Sequence, residues 1–300
     1  QGGVEITGAV VAITDLDTLI LGASTVTGTY NVTATAGNIT QNGALIITGT
    51  TTLLTSGEAA TIDLSTTSNK FTGALLITTN DNTDGSDGLY EADVTIDGGE
   101  IAALVIGNST IDGDLTLING NASGITDASG ATVTVNGNLI ATTDNNSGVI
   151  NLGDDDRLAV SGKFQLITDG TGDATIVNGA GLDFATSTIG GDLTATATTL
   201  NIADSGRLKV TGATIITLGT NPILSVSGAT SATDSYGLTI TLDTVNNLFT
   251  GGITLRYDNV LPPDNSDIDL ARQVTFAELD FAIDQNITKI YGSYEEMQDD

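Results

Sequence analysis

The residues best placed to do chemistry lie in one run, Asn80-Asp81-Asn82-Thr83-Asp84-Gly85-Ser86-Asp87-Gly88-Leu89-Tyr90-Glu91. Side-chain oxygens stand at Asn80, Asn82, Asp84 and Ser86, Gly85 allows a sharp turn, and Glu91 closes the run with a carboxylate. A twelve-residue loop with this spacing wraps oxygen ligands around a hard cation, so calcium is the ion it would take. Asn80 stands where such loops carry Asp, Asp87 stands where they carry an apolar residue, and no helix signals flank the run. A solvated acidic loop is the plainer reading of the same residues. Asp154-Asp155-Asp156, after Gly153, forms a second acidic cluster.

Composition limits what else the chain can do. It carries 37 acidic and 8 basic residues, a net charge of −29. Nucleic-acid binding needs Lys and Arg against phosphates, which excludes that partner class, and anionic membrane surfaces are disfavoured for the same reason. With no Cys and no His, the usual transition-metal ligands and the commonest nucleophile and base types are absent. No apolar run is long enough to span a membrane. Gln1-Gly2-Gly3 leads straight into an alternating segment, as in a mature chain after leader removal, so the expected location is secreted, at the cell surface. Asn31, Asn38, Asn108, Asn121, Asn145 and Asn286 each open an Asn-X-Ser/Thr sequon, a pattern that an Asn- and Thr-rich chain also produces by chance.

The elements that must position these residues come from a short repeat: an apolar residue, a small polar one, Gly, any residue, then an apolar one. It reads Ile6-Thr7-Gly8-Ala9-Val10, Val26-Thr27-Gly28-Thr29-Tyr30, Phe71-Thr72-Gly73-Ala74-Leu75 and Ile111-Asp112-Gly113-Asp114-Leu115. Further copies centre on Gly137, Gly162, Gly191 and Gly251, with degenerate ones at Gly43 and Gly212. If the steps to Gly73, Gly113 and Gly251 each skip a landmark, the spacing averages about 20 residues, the length of one coil of a β-solenoid. Period-two alternation between landmarks, as in Leu115-Thr116-Leu117-Ile118, puts apolar residues inside and Thr, Asn and Asp outside. The pattern predicts an all-β, right-handed parallel β-solenoid of about a dozen coils over residues 1–260, with glycine supplying a positive φ or a tight corner. An antiparallel sandwich array is the alternative, but the turn glycines recur without clear paired Asn-Gly hairpin signals.

Residues 261–300 break the texture. Leu261-Pro262-Pro263 reads as an extended linker. Beyond it, Thr275 and Glu278 have capping-box spacing, and Phe276, Leu279, Ile283, Ile287 and Ile290 fall on one face of a helix that Gly292 would end. The segment either caps the last coil or docks on a neighbouring subunit. The assembly contacts expected are Val10, Val11 and Ile13 at one end, and Phe276, Leu279, Phe281, Ile283, Ile287, Ile290 and Tyr291 at the other.

Gly113-Asp114-Leu115-Thr116-Leu117, Gly137-Asn138-Leu139-Ile140-Ala141 and Gly191-Asp192-Leu193-Thr194-Ala195 resemble the β-solenoid regions of filamentous-haemagglutinin-like adhesins. The acidic, Cys-free, Thr/Ala/Gly/Asn-rich composition is similar to that of surface-layer and calcium-dependent RTX-type proteins, and Asn178-Gly179-Ala180-Gly181-Leu182-Asp183 resembles one RTX repeat. These resemblances imply secretion, surface display and self-association or adhesion. Asn82-Thr83-Asp84-Gly85 and Gly153-Asp154-Asp155 look like the carboxylate motifs of polygalacturonases. They lie roughly three or four coils apart, about 14–19 Å, too far for one inverting site. The reading expected is therefore a non-catalytic extracellular structural subunit whose partner is another copy of itself. An adhesin or glycan-binding module is the rival, and a polysaccharide-degrading enzyme a more distant one. Calcium is the sole cofactor expected.

Overall fold

Segments that alternate aliphatic and β-branched residues with Thr, Asn and Asp form strands of two to five residues. Strands this short hold only when each finds a neighbour above and below. The computed structural model describes residues 2–66, 68–80, 91–153, 157–220, 224–233 and 237–257. Over these residues the chain is an all-β parallel solenoid of about nine turns, with no helix. The predicted C-terminal helix lies outside the described residues, as do Phe276, Leu279, Phe281, Ile283, Ile287, Ile290 and Tyr291.

Each turn sets one strand of four or five residues against a side made of two shorter ones. The long strands Val11–Asp15, Tyr30–Ala34, Thr51–Thr55 and Leu75–Thr78 stack in register on one side, face I. Leu75–Thr78 is then overlaid by two short strands, Leu104–Ile106 and Ser109–Ile111. From that level the long strands run on the other side, face II, as Val94–Asp97, Leu115–Asn119, Leu139–Thr143 and Phe164–Thr168. Phe164–Thr168 is overlaid in turn by Leu182–Phe184 and Ser187–Ile189. The long strands return to face I as Ala174–Asn178, Leu193–Ala197, Thr214–Leu218 and Ile253–Tyr257. The sides exchange roles wherever two long strands follow each other in sequence.

These exchanges explain why about nine turns replace the expected dozen. Register partners one turn apart are 18 to 25 residues apart in most turns, from Thr7 with Thr25 to Leu139 with Phe164. They are 39 apart from Thr214 to Ile253, so that long step is one turn with an excursion and skips no landmark. The landmark glycines precede long strands, and each exchange shifts the next one by part of a turn. The third-turn landmark is Gly49, which stacks on Gly28; Gly43 stacks on Ala23 in another column.

The landmark glycines also do a different job from the expected one. None of Gly28, Gly49, Gly73, Gly113, Gly137, Gly162, Gly191, Gly212 and Gly251 has a positive φ. Each faces the backbone of the turn before it: a Cβ on Gly137 would stand 2.6 Å from the carbonyl carbon and oxygen of Gly113. Gly28–Gly49–Gly73, Gly113–Gly137–Gly162 and Gly172–Gly191–Gly212–Gly251 are three such ladders, interrupted at the two exchanges.

The interior is one continuous cluster of Leu, Ile, Val and Ala with a few aromatics. Residues in register repeat their type, as in Val94, Leu115, Leu139, Phe164 and Phe184. Burying each such side chain is worth about 1.5–3 kcal/mol, so a core of small aliphatics suffices when it runs the whole length of the rod.

Candidate functional site: exchange points, corners and ends

An exchange creates a local hydrogen-bonding problem. A long strand overlaid by two short ones is paired near both ends, while its middle lies opposite the corner between them. A buried N–H left there without an acceptor would cost about 1–3 kcal/mol. A serine opening the second short strand meets the need. Ser109 Oγ, buried, accepts from Ile77 N–H at 3.1 Å and donates to Gly107 O at 3.0 Å. At the second exchange Ser187 Oγ accepts from Leu166 N–H at 3.0 Å and donates to Ala185 O at 2.9 Å. Ser24 repeats the device between Ile6 N–H and Gly22 O. The three sites read Gly22-Ala23-Ser24-Thr25-Val26, Gly107-Asn108-Ser109-Thr110-Ile111 and Ala185-Thr186-Ser187-Thr188-Ile189. The recurring Ser-Thr-Val/Ile was the signal available in the sequence.

The reverse junctions, two short strands meeting one long one, use a buried asparagine. Asn69 Oδ1 accepts from Leu45 N–H at 2.9 Å, and its Nδ2 donates to Leu64 O and Asp97 O at 3.2 and 3.0 Å. Gln41 pairs with the same amide in both directions, at 2.8 and 2.9 Å. Asn178 Oδ1 accepts from Val160 N–H at 2.9 Å while its Nδ2 donates to Val160 O at 3.1 Å. This occupies the side chain expected to open a calcium repeat. Asp183, at the end of that segment, stands 4.0 Å from Lys163.

Asx side chains clamp the corners. Asp93 Oδ1 accepts from Asp114 N–H at 2.7 Å, Asp114 Oδ1 from Asn138 N–H at 2.7 Å, and Asn138 Oδ1 from Lys163 N–H at 2.8 Å. Asp173, Asp192 and Ala213 repeat the series on face I. The Asx residues that follow Gly113, Gly137, Gly172 and Gly191 are thereby explained as links between coils. Sequon residues Asn38 and Asn108 make the same link, accepting from Thr61 N–H and Thr132 N–H. Burial pushes the Asp93 carboxyl up; the Asp114 N–H opposes this and the Asp114 carboxylate adds to it. Asp97 is raised chiefly by burial, against the Gly99 N–H and with help from Asp144 and Glu100. Burial pushes the Tyr30 phenol to about 12, with the Ser24 hydroxyl acting in the opposite direction.

Of the calcium-loop residues, Asn80 and Glu91 are exposed at the two ends of the run, and Asn82, Asp84 and Ser86 lie outside the described residues, as do Asp154, Asp155 and Asp156. Among the described residues there is no group of three or more acidic side chains spaced to hold a metal ion, and no helix long and apolar enough to cross a membrane. A shallow depression of about 180 Å³ on the flank is lined by Asn138, Ile140, Lys163, Gln165 and Ala185. At the N-terminal end Val10 is 75% exposed, Val11 is buried and Ile13 is partly buried against the core. The C-terminal end is built differently. Residues after Thr214–Leu218 leave the coil path and return as Leu224–Ser227 and Ser231–Thr233, which pair antiparallel with Ile253–Tyr257 and Thr239–Thr241. These are the two pairings among the described residues that run against the parallel rule.

Comparison with known families places these features in one frame. The profile of a repeat family, described as repeats of unknown function (DUF5649), matches residues 7–78, 91–168 and 171–224, more than half of the chain, and the chain belongs to that family. The matches break where the structure exchanges its long side: the first ends with Leu75–Thr78, and the second starts just before Val94–Asp97 and ends with Phe164–Thr168. In this chain each matched stretch is thus a run of turns whose long strands share one face. No curated protein and no solved structure matches the chain.

Proposed function

We propose that this member of the DUF5649 repeat family is a non-catalytic structural subunit of an extracellular or cell-surface assembly, joined to further copies of itself. The observation that carries the reading is where the polar side chains go. Buried Ser and Asn groups at the exchanges, and exposed or half-buried Asp and Asn groups at the corners, bind backbone of the neighbouring turn, so much of the chain's polar chemistry serves to hold a rod together. A repeat β-solenoid of this kind is consistent with a structural or surface protein, and the absence of Cys does not stand against a location outside the cell, because a continuous core does the work of disulfides. Calcium, taken by Asn80, Asn82, Asp84, Ser86 and Glu91, would join acidic chains at their contacts. Residues 261–300, with Phe276, Leu279 and Ile283, supply a second contact in this proposal.

The test is negative-stain electron microscopy of the full chain with calcium and then with chelator. Filaments or sheets are the expected result, and their loss in chelator would assign the acidic loop to contacts. Isolated short rods in both conditions would overturn the reading. They would favour the rival, an adhesin or glycan-binding module, for which the flank depression beside Lys163 and Gln165 offers a place.

A further inference from the structure

The long and short strands of face I join in one sheet along the described rod, and their outward side chains form two columns. Alternation buries the first, third and fifth residues of a long strand and turns the second and fourth outward, as in Leu193–Ala197. Thr14, Thr33, Leu54, Thr78, Thr110 and Thr134 follow one another in register up one column. Thr126, Asn151, Thr175, Thr194, Ile215 and Thr254 do so in the other. All are exposed or half-buried, and no described strand lies over them.

The columns are set apart by what they lack. The chain carries 37 acidic residues, yet no outward position of the described face I strands holds one, and Arg256 is the single charge there. Asp15 and Asp127 end their strands in register with buried Ala34 and Ile106, so they belong to the corners. Acidic side chains lie at corners, as Asp93, Asp114, Asp173 and Asp192 do, and on face II, as Asp63 and Asp183 do.

We propose that two copies of the chain pair side by side through face I. This rests on the self-association reading above and names its interface. Charge is the first argument for a second copy as the occupant. Other sides of the rod would bring carboxylates against carboxylates in a chain of net charge −29, whereas face I meets its own image without that opposition. Depletion of charge is also what marks the core of a protein interface. A two-fold axis sets the same patch on both partners, so a face suited to itself closes into a pair.

Area is the second argument. About nine turns at ~4.8 Å spacing, crossed by strands of five residues at ~3.3 Å each, make a patch of roughly 40 by 17 Å. That is about 700 Å² per copy and about 1,400 Å² per pair, within the range of stable interfaces. Across such a contact Thr hydroxyls bond to one another while the methyls of Thr, Ile and Leu pack, so few polar groups are left bare. A glycan is a poorer occupant, because Tyr30 and Tyr257 of the face I strands are buried and the columns hold no aromatic ring to stack on a sugar.

The test places charge on the face. One full-length variant carries Thr33→Glu, Thr134→Glu and Thr194→Glu, and a second carries Thr33→Lys, Thr134→Lys and Thr194→Lys. A control carries Thr95→Glu, Thr116→Glu and Thr142→Glu, which add the same charge to outward positions of face II. Each is checked for native circular dichroism and read by sedimentation velocity. The wild type is expected at twice the 30.3 kDa mass of the chain or more, and increasingly so with added sodium chloride, which screens the net charge. The control should match it. The two face I variants should each sediment as one chain, and their equimolar mixture should regain the pair, since opposite charges then meet. A misfolded variant could not restore it. Assembly retained in the Glu variant, or lost equally in the control, would overturn the interface and leave self-association standing. A wild type that sediments as one chain would overturn both, and would leave the face to another occupant, a segment of the same chain included.

Discussion

Gly137→Ala is the sharpest test of how this solenoid is built. Gly137 has no positive φ, so alanine is compatible with its backbone angles, and any cost must come from space. A Cβ there would lie 2.3 Å from Asp114 Oδ1 and 2.6 Å from the carbonyl carbon and oxygen of Gly113. The backbone neighbour cannot swing aside, because it is pinned between turns by Gly137 N–H to Gly113 O at 3.1 Å. Forcing a methyl into a packed position of this kind costs about 1–3 kcal/mol. Asp114 must also move, which weakens its bonds from Asn138 N–H at 2.7 Å and Asn138 Nδ2 at 3.0 Å. Charge-assisted bonds of that kind are worth about 1.5–3 kcal/mol each, so a total of about 2.5–6 kcal/mol is expected if one is lost. Guanidinium unfolding followed by circular dichroism measures it. Gly2→Ala, with nothing within 4 Å of its Cβ, is the control and should change stability by less than about 0.5 kcal/mol. A double-mutant cycle with Asp114→Ala should return part of the cost, since one of the two obstructions is then gone. Gly137→Ala as stable as Gly2→Ala would refute the close-approach explanation of the repeat.

Ser109→Ala leaves the Ile77 N–H without its acceptor, and Ser187→Ala does the same to Leu166; each should cost about 1–3 kcal/mol, add in the double variant, and speed hydrogen exchange at that one amide. Asn69→Ala removes a side chain that satisfies Leu45 N–H, Leu64 O, Asp97 O and Gln41 together, and should be the most damaging of the polar changes, at about 3 kcal/mol or more by urea denaturation. Asp93 and Asp97 have folded-state carboxyls raised above their unfolded values, so the folded chain holds protons more tightly. Their ionisation therefore costs stability as pH rises from the ordinary carboxylate range through the raised folded values. Melting temperature should increase as pH is lowered from neutrality into the ordinary carboxylate range, and Asp97→Asn should stabilise the chain at neutral pH and flatten that slope. A slope of the opposite sign would refute the burial argument.

Much of the fold was legible from residue order alone. Landmark glycines, alternation as in Leu115-Thr116-Leu117 and a spacing near 20 residues suffice for a parallel solenoid, because each constraint acts within one turn or between a turn and its neighbour. The Asx residue after the glycine was visible too, but not its role. That Asp114 and Asn138 serve the next turn's backbone depends on which turns stack, and this is a distance of 24 residues along the chain. Sequence decided that Ser, Asn and Gly recur; stacking decided that Ser109 serves Ile77, that Asn178 is a buried link and that Gly137 is glycine for want of room. The turn count was misjudged for a physical reason. A residue's identity shows that a corner is tight, whereas the side that carries the long strand depends on pairing with the turn below, and only the assembled stack shows it change at Leu75–Thr78 and Phe164–Thr168. The reversed strands Leu224–Ser227 and Ser231–Thr233 carry the same Ser, Thr, Val and Ala as their parallel neighbours. Composition cannot encode strand direction, so the reversal of these two strands belongs to the tertiary structure alone.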